Sequence, residues 1–464
     1  MSWCTFRFLP LLITLALPVL AAELNDPFAT AALTPLKPSP QLAARAAQAP
    51  CASILPATAL GAVEVVDLAL CNHPQTREVW ATARAQAALL GVAQAAWLPD
   101  FEARVASGRN YLESRNFSQS SAALTLSWLV FDFGQRSANI ENARQLLSAA
   151  AATQDATVQS LFLAALQSYY NAQAARAAVL ASGEAERAAQ EGLAAAESRY
   201  RVGAGTPADR LLAKTALSQA TLNRIRAEGE ARNALGVLAN AMGFAAREKF
   251  VLDEIPRSFP ASAFQQDVDA LIDEARKRRP DLQSAEAQLR AATAGVALAR
   301  ALGRPTVNLS TGPGWQDVDG INTRTGNIGL TLSVPIFSGF ETTYRVRSAE
   351  AQVDIRAAQR DRLHNQVALD VWKAYQSLNT ATQSLQATVD LVVSAEQSER
   401  VALGRYKAGV GTVLDLLAAQ TALANARLQR IQAGLDWHVY RATLAQAVGA
   451  LDYTLLQPAA EGNP

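Results

Sequence analysis

"RYRVGAGT" at Arg199–Thr206 and "RYKAGVGT" at Arg405–Thr412 decide the fold. Each ends a long tract rich in Ala, Gln, Glu, Arg and Leu, and each sets a Gly-x-Gly where a helix would otherwise run on. Their offset is 405 − 199 = 206 residues, and it holds far outside them. His73-Pro74 pairs with Arg279-Pro280, and Pro99 pairs with Pro305. "LTLSWLVF" (Leu124–Phe131) pairs with "LTLSVPIF" (Leu330–Phe337). "LAKTALSQATLNRI" (Leu212–Ile225) pairs with "AAQTALANARLQRI" (Ala418–Ile431). One ungapped register over roughly 150 residues is a tandem duplication. The copies are expected at 61–258 and 259–452, with an extension at 23–60 and a tail at 453–464.

Each copy reads as helix, two strands, long helix, glycine break, helix. Gln135–Val202 and Glu341–Ala408 hold no proline, and either would be about 100 Å long as a helix. In the second tract, Val367, Val371, Ala374, Leu378, Ala381, Leu385, Thr388 and Val392 alternate spacings of three and four, the coiled-coil signature. The first tract carries small residues such as Ala143, Ala150, Ala165, Ala172 and Ala175, which let helices approach closely. Gly203 and Gly205 stop the first long helix, Thr206 caps the next and Pro207 opens it. Gly409, Gly411 and Thr412 repeat the device. "GAGTPA" also fits a phosphate-cradling spacing, but that motif follows a strand and this one follows a helix. These are hairpin tips.

Strands are expected at about 100–111, 121–131, 305–315 and 326–336. Phe101, Ala103 and Val105 alternate with Glu102, Arg104 and Ala106, and Ile328, Leu330, Leu332 and Val334 alternate with Gly329, Thr331 and Ser333. The polar stretch 112–121 reads as the turn of the first pair. One apolar face and one small polar face mark half-exposed strands. Four strands cannot close a barrel, and lipid tolerates no open edge, so strands in a membrane require further copies of the chain. Three copies supply twelve strands. Tyr111, Trp128 and Trp315 lie at or near strand ends, where an interfacial belt or ordinary packing would put them.

Arg7, the apolar run Phe8–Ala22 and the small residues of "VLAAE" make residues 1–22 a secretory signal peptide. No lipoprotein cysteine follows that run, and no later stretch is apolar for long enough to form a transmembrane helix. In an oxidising compartment Cys51 and Cys71 are expected to form a disulfide. A net charge of +1 implies no bulk attraction to nucleic acid. His73, His364 and His438 lie in separate segments without metal spacing, and neither GxSxG nor HExxH occurs. No catalytic, cofactor or metal site is expected, and the chain does not read as an enzyme.

The duplicated strand pair and the paired "RY-x-x-G-x-x-T-x-x-D" tips resemble the TolC family of bacterial outer-membrane export channels. The resemblance implies an α+β membrane protein: a homotrimer whose twelve-strand β-barrel, set in outer-membrane lipid, continues into a long periplasmic α-helical barrel. It places the chain in the outer membrane of a Gram-negative bacterium. It implies that the tips, with Arg199, Tyr200, Gly203, Gly205 and Thr206 in one and Arg405, Gly409, Gly411 and Thr412 in the other, meet a periplasmic adaptor (membrane fusion) protein. An inner-membrane ABC transporter or efflux pump completes the machine. Asp209 and Tyr406 match positions whose hydrogen bonding holds family channels closed, and Asp415 matches an acid lining the constriction. Two departures stand out: Ala418 replaces a second acid, and Gly411 an arginine of the closing network. The expected function is a passive exit duct. The missing lipid-anchor cysteine and the extension at 23–60 lean toward type I protein secretion. Small-molecule efflux, or a coiled-coil scaffold without a pore, are the alternatives.

Overall fold

A computed structural model describes residues 26–34, 55, 58–112, 115–253 and 267–451. The signal peptide, Cys51 and the tail lie outside them. In chain order the elements are α1 (Ala62–Asn72), α2 (Pro74–Ala95), β1 (Asp100–Leu112), β2 (Arg115–Phe131), α3 (Gln135–Arg201) and α4 (Pro207–Ala241), then α5 (Val268–Arg278), α6 (Pro280–Ala301), β3 (Thr306–Val318), β4 (Ile321–Ser333), α7 (Glu341–Lys407) and α8 (Val413–Val448). The repeat is literal: α3 and α7 are each 67 residues long, and their starts differ by 341 − 135 = 206. Among the described residues no helix is long and apolar enough to cross a membrane. The chain divides into two compact units, one built around the strands and one built mainly of helices.

The strand unit comprises 26–34, 82–147 and 290–352. Its four strands form one antiparallel sheet in the order β1-β2-β3-β4. The register aligns Phe101, Leu126, Thr311 and Ile328 in one row across the sheet, and Trp128, Leu309 and Leu330 in another. Ser127, Ser310 and Gly329 form the row between them and point to the other face. The alternation read in each strand is therefore in phase over all four. Ile328 remains 80% exposed and Leu330 68%, an apolar surface suited to lipid. Among the described residues β1 and β4 each pair on one side only.

The strands are longer than expected. The polar residues read as a turn continue the ladder instead: β1 runs to Leu112, and β2 begins at Arg115. Cross-strand polar contacts hold this part, with the Ser107 and Ser120 hydroxyls 3.0 Å apart and Asn110 Nδ2 donating to Gln119 Oε1 at 3.2 Å. In the second copy the connection is Asp319-Gly320, with φ 48° and 86°. A two-residue turn matching strand twist needs positive φ at both positions, which Asp-Gly supplies. Asp319 stitches this turn to β2, donating its N–H to the Ser118 carbonyl (3.0 Å) and accepting the Ser118 N–H on its carboxylate (2.9 Å).

Where β2 hands over to α3, Asp132 and Arg136 form an ion pair buried on both sides (Nε–Oδ2 3.0 Å). The guanidinium also donates to the carbonyls of Leu129 (2.5 Å) and Val130 (3.1 Å), and lies 4.0 Å from the Trp97 ring centroid. Trp97 in turn accepts the Trp128 indole N–H on its carbonyl (2.9 Å). One arginine thus ties the end of β2 to the segment after α2.

The helical unit comprises 58–81, 148–253, 267–289 and 353–451, with residue 55. The seam read in α7 is its buried edge: Val367, Val371, Ala374, Leu378, Ala381 and Leu385 pack with Leu271, Trp437 and Leu444. In the other copy Leu161, Phe162, Ala165 and Ala172 pack with Val65, Leu238 and Met242. Gly243 and Gly449 follow α4 and α8 at φ 81° and 78°. A Cβ on Gly243 would meet the Asn72 backbone at 2.8 Å, and one on Gly449 the Arg278 backbone at 3.1 Å. The same close approach is built twice, since 278 − 72 = 206. His438 belongs to this core. Its ring stacks on Tyr170 with centroids 4.5 Å apart, and burial, helped by Arg441, lowers its pKa to about 4.

Candidate functional site: the paired hairpin tips

Both tips reverse the chain by one mechanism. Gly203 and Gly409 take φ 75° and 82°, beyond the reach of most side chains. The N–H of Ala204 donates to the Arg199 carbonyl (2.9 Å), and that of Val410 to the Arg405 carbonyl (3.1 Å). Gly205 and Gly411 sit tightly: a Cβ on either would lie 3.1–3.2 Å from the backbone nitrogen of Tyr200 or Tyr406. The next helices open on reciprocal caps. Thr206 Oγ1 accepts from the Asp209 N–H (3.1 Å), and the Asp209 carboxylate accepts from the Thr206 N–H (3.1 Å). Thr412 and Asp415 repeat the box at 3.1 and 3.2 Å. The Asp415 pKa is lowered by hydrogen bonding of its carboxylate to the Thr412 side chain and to the Thr412 backbone N–H.

The two tips differ in what they touch. The Arg199 guanidinium crosses to the second tip, donating to the Tyr406 carbonyl (3.0 Å) and the Gly411 carbonyl (3.5 Å) and also to Ala204 of its own loop (3.1 Å). It lies 4.7 Å from the centroid of the Tyr406 ring, an attractive cation–ring arrangement. Tyr406 is 2% exposed and packs with Ala196, Ala213, Val413 and Leu416. Its counterpart Tyr200 is 39% exposed, and Arg405 is exposed as well.

The structure brings Arg199, Gly411 and Tyr406 together, while Asp209 and Asp415 sit in their own caps. The Tyr406 hydroxyl is buried with no hydrogen-bond partner among the described residues. Its pKa is raised by that burial, opposed by the charge of Arg199 and reinforced by that of Asp209. Asp209 is thus near enough to be felt but is not hydrogen-bonded to the hydroxyl. Arg199 was expected at a docking tip; its reach into the other tip was not. Gly411 takes part through its carbonyl, which accepts from Arg199 at 3.5 Å. Of the expected disulfide, Cys71 is disulfide-bonded. Cys51 lies outside the described residues.

The model of the family described as "Outer membrane efflux protein" matches residues 65–244 and 271–450. The two segments differ by 271 − 65 = 450 − 244 = 206, so the family match follows the internal repeat. Protein CyaE of Bordetella pertussis is 32% identical over 416 residues, covering 87% of this chain and 86% of that protein. Outer membrane protein TolC of Escherichia coli is 25% identical, covering 73% of this chain and 71% of its own. Among solved structures, outer membrane protein VceC of Vibrio cholerae has the same fold at 21% identity, with a TM-score of 0.74 over 84% of this chain and 96% of that one. Strands that need neighbours to close, helices doubled at one fixed offset and a family match doubled at the same offset have one common explanation: the chain belongs to the outer membrane efflux protein family, whose relatives include TolC, and is an outer-membrane transport protein with a large periplasmic helical portion.

Proposed function

We propose that this chain is the exit duct of a tripartite export machine, that it opens at its periplasmic tips when docked to an adaptor and an inner-membrane transporter, and that its cargo is protein, by a type I route. The observation that carries the duct is the four-stranded sheet, apolar on one face and unpaired at both edges. Such a sheet is stable in lipid only when copies of the chain join edge to edge around a lumen. Tips gathered at the end of that lumen would form its constriction, with Asp209 and Asp415 lending it acidic charge that favours cations. The lean toward protein cargo comes from the segment before the first repeat. Its residues 26–34 are ordered against α2, with the Thr30 methyl 3.0 Å from where a Cβ on Gly91 would stand. Small-molecule efflux is the second reading, favoured by the description of the family itself.

Supernatant proteins of parent and deletion strains separate these readings. Loss of one or a few large proteins, restored by complementation, is the expected result. An unchanged supernatant with raised drug susceptibility would assign the duct to efflux.

The gate gives a second test. The observed clasp uses the Tyr406 ring and carbonyl, so Tyr406→Phe is expected to leave closed-state conductance in planar bilayers unchanged. Arg199→Ala is expected to raise it several-fold. A leaky Tyr406→Phe channel would mean instead that the hydroxyl works as a latch with Asp209.

A further inference from the structure

We propose that Arg405 of one copy clasps Tyr200 of the next, repeating between chains the junction that Arg199 and Tyr406 make within one. The proposal rests on the trimeric-duct reading above. Three copies with two tips each make a ring of six tips and six junctions, three inside chains and three between them. The junction inside a chain is an arginine donating to the carbonyls of the facing tip, its guanidinium over a buried tyrosine ring. Both halves of a second junction are present, and among the described residues neither meets a facing tip. Tyr200 and Arg405 occupy the repeat positions of Tyr406 and Arg199, since 406 − 200 = 405 − 199 = 206. The loops around them match in φ, turn hydrogen bonds and capping box. The carbonyls an incoming arginine would need are Tyr200 and Gly205, the repeat counterparts of Tyr406 and Gly411. Leu211 tells the same story. It is 57% exposed, while its counterpart Leu417 packs on the Tyr406 cluster.

The two kinds of junction are not equal. Leu416 packs beside Tyr406, and its repeat counterpart is Arg210, whose guanidinium lies 5.1 Å from the Tyr200 ring centroid. An arriving Arg405 therefore meets a ring that already carries one cation. Like charges at that range repel, so the junctions between chains are the weaker set and part first when the duct opens.

Cysteine pairs in the full-length protein test this, with a short bis-maleimide applied to outer-membrane preparations. Tyr200→Cys with Arg405→Cys is expected to give a covalent trimer on denaturing gels, whereas Arg199→Cys with Tyr406→Cys stays a monomer. A native trimer whose cysteines at 200 and 405 both take a mono-maleimide, yet never cross-link, overturns the proposal and leaves the trimeric duct standing. Absence of a trimer before cross-linking overturns the duct reading and the proposal together. Conductance gives an independent readout. Arg405→Ala is expected to raise closed-state conductance several-fold and Arg210→Leu to lower it. An Arg405→Ala channel as tight as the parent overturns the proposal.

Discussion

Asp132→Ala is expected to destabilise the protein by about 3–5 kcal/mol, the usual cost of removing one partner of a buried ion pair. The mechanism is uncompensated charge. Arg136 and Asp132 are each 5% exposed, so the guanidinium would stay buried with only carbonyls and the Trp97 ring for company. The Asp132 carboxylate also accepts the backbone N–H groups of Arg136 (2.8 Å) and Gly134 (3.2 Å), so the start of α3 would lose its cap as well. Neither residue has an equivalent in the second copy, where Ser338 and Thr342 stand 206 residues on. Urea unfolding of the detergent-solubilised protein should show the loss. Asp132→Ala with Arg136→Met should recover part of it, because a pair replaced by apolar side chains leaves no stranded charge. A single variant as stable as the parent would show that the pair contributes nothing.

Gly312→Val is expected to break the pairing of β2 with β3 and to cut the yield of folded protein in the outer membrane by more than tenfold. A Cβ on Gly312 would stand 1.8 Å from the Leu124 carbonyl oxygen and 2.9 Å from its carbon. Those are backbone atoms of the neighbouring strand, so no rotamer relieves the collision and the strands must separate. Overpacking alone costs about 1–3 kcal/mol, and lost ladder hydrogen bonds add to it. Gly326, on β4, is the control. Nothing lies within 4 Å of its Cβ position, and Gly326→Val should fold at parental yield. Heat-modifiable mobility on gels, scored for both variants, decides the matter.

Much of this architecture is legible in the residues because it is periodic. The seam from Val367 to Val392 is written in spacings of three and four, and the strands in strict alternation. The caps at Thr206 and Thr412 are local and need only a few residues to specify. What could not be read is non-local or ambiguous. Residues 112–121 are polar enough for a loop, yet most of them pair as strand because a polar face is what this sheet presents on one side. The Asp319-Gly320 hairpin was available as a signal and was buried in a longer stretch of turn-like residues. Arg136 gave no sign beyond its spacing from Asp132, since its other partners are backbone carbonyls and every residue has one. At the tips the motif marked the right residues but not their roles. That Arg199 reaches Tyr406 while Arg405 stays exposed follows from which faces meet, and two copies of one motif cannot state that.

Among the described residues, nothing pairs with the outer backbone N–H and C=O groups of β1 and β4. In the trimeric duct proposed above, a newly exported copy is therefore a hazard to itself and its surroundings until the third copy arrives, because an open strand edge accepts any strand that fits. Assembly becomes a race of orders. Correct closure needs three chains in succession, while a wrong encounter needs only two. Slow, spatially clustered export favours closure in that race. The helical unit, whose cores lie within a single copy, is free to fold before the contest begins.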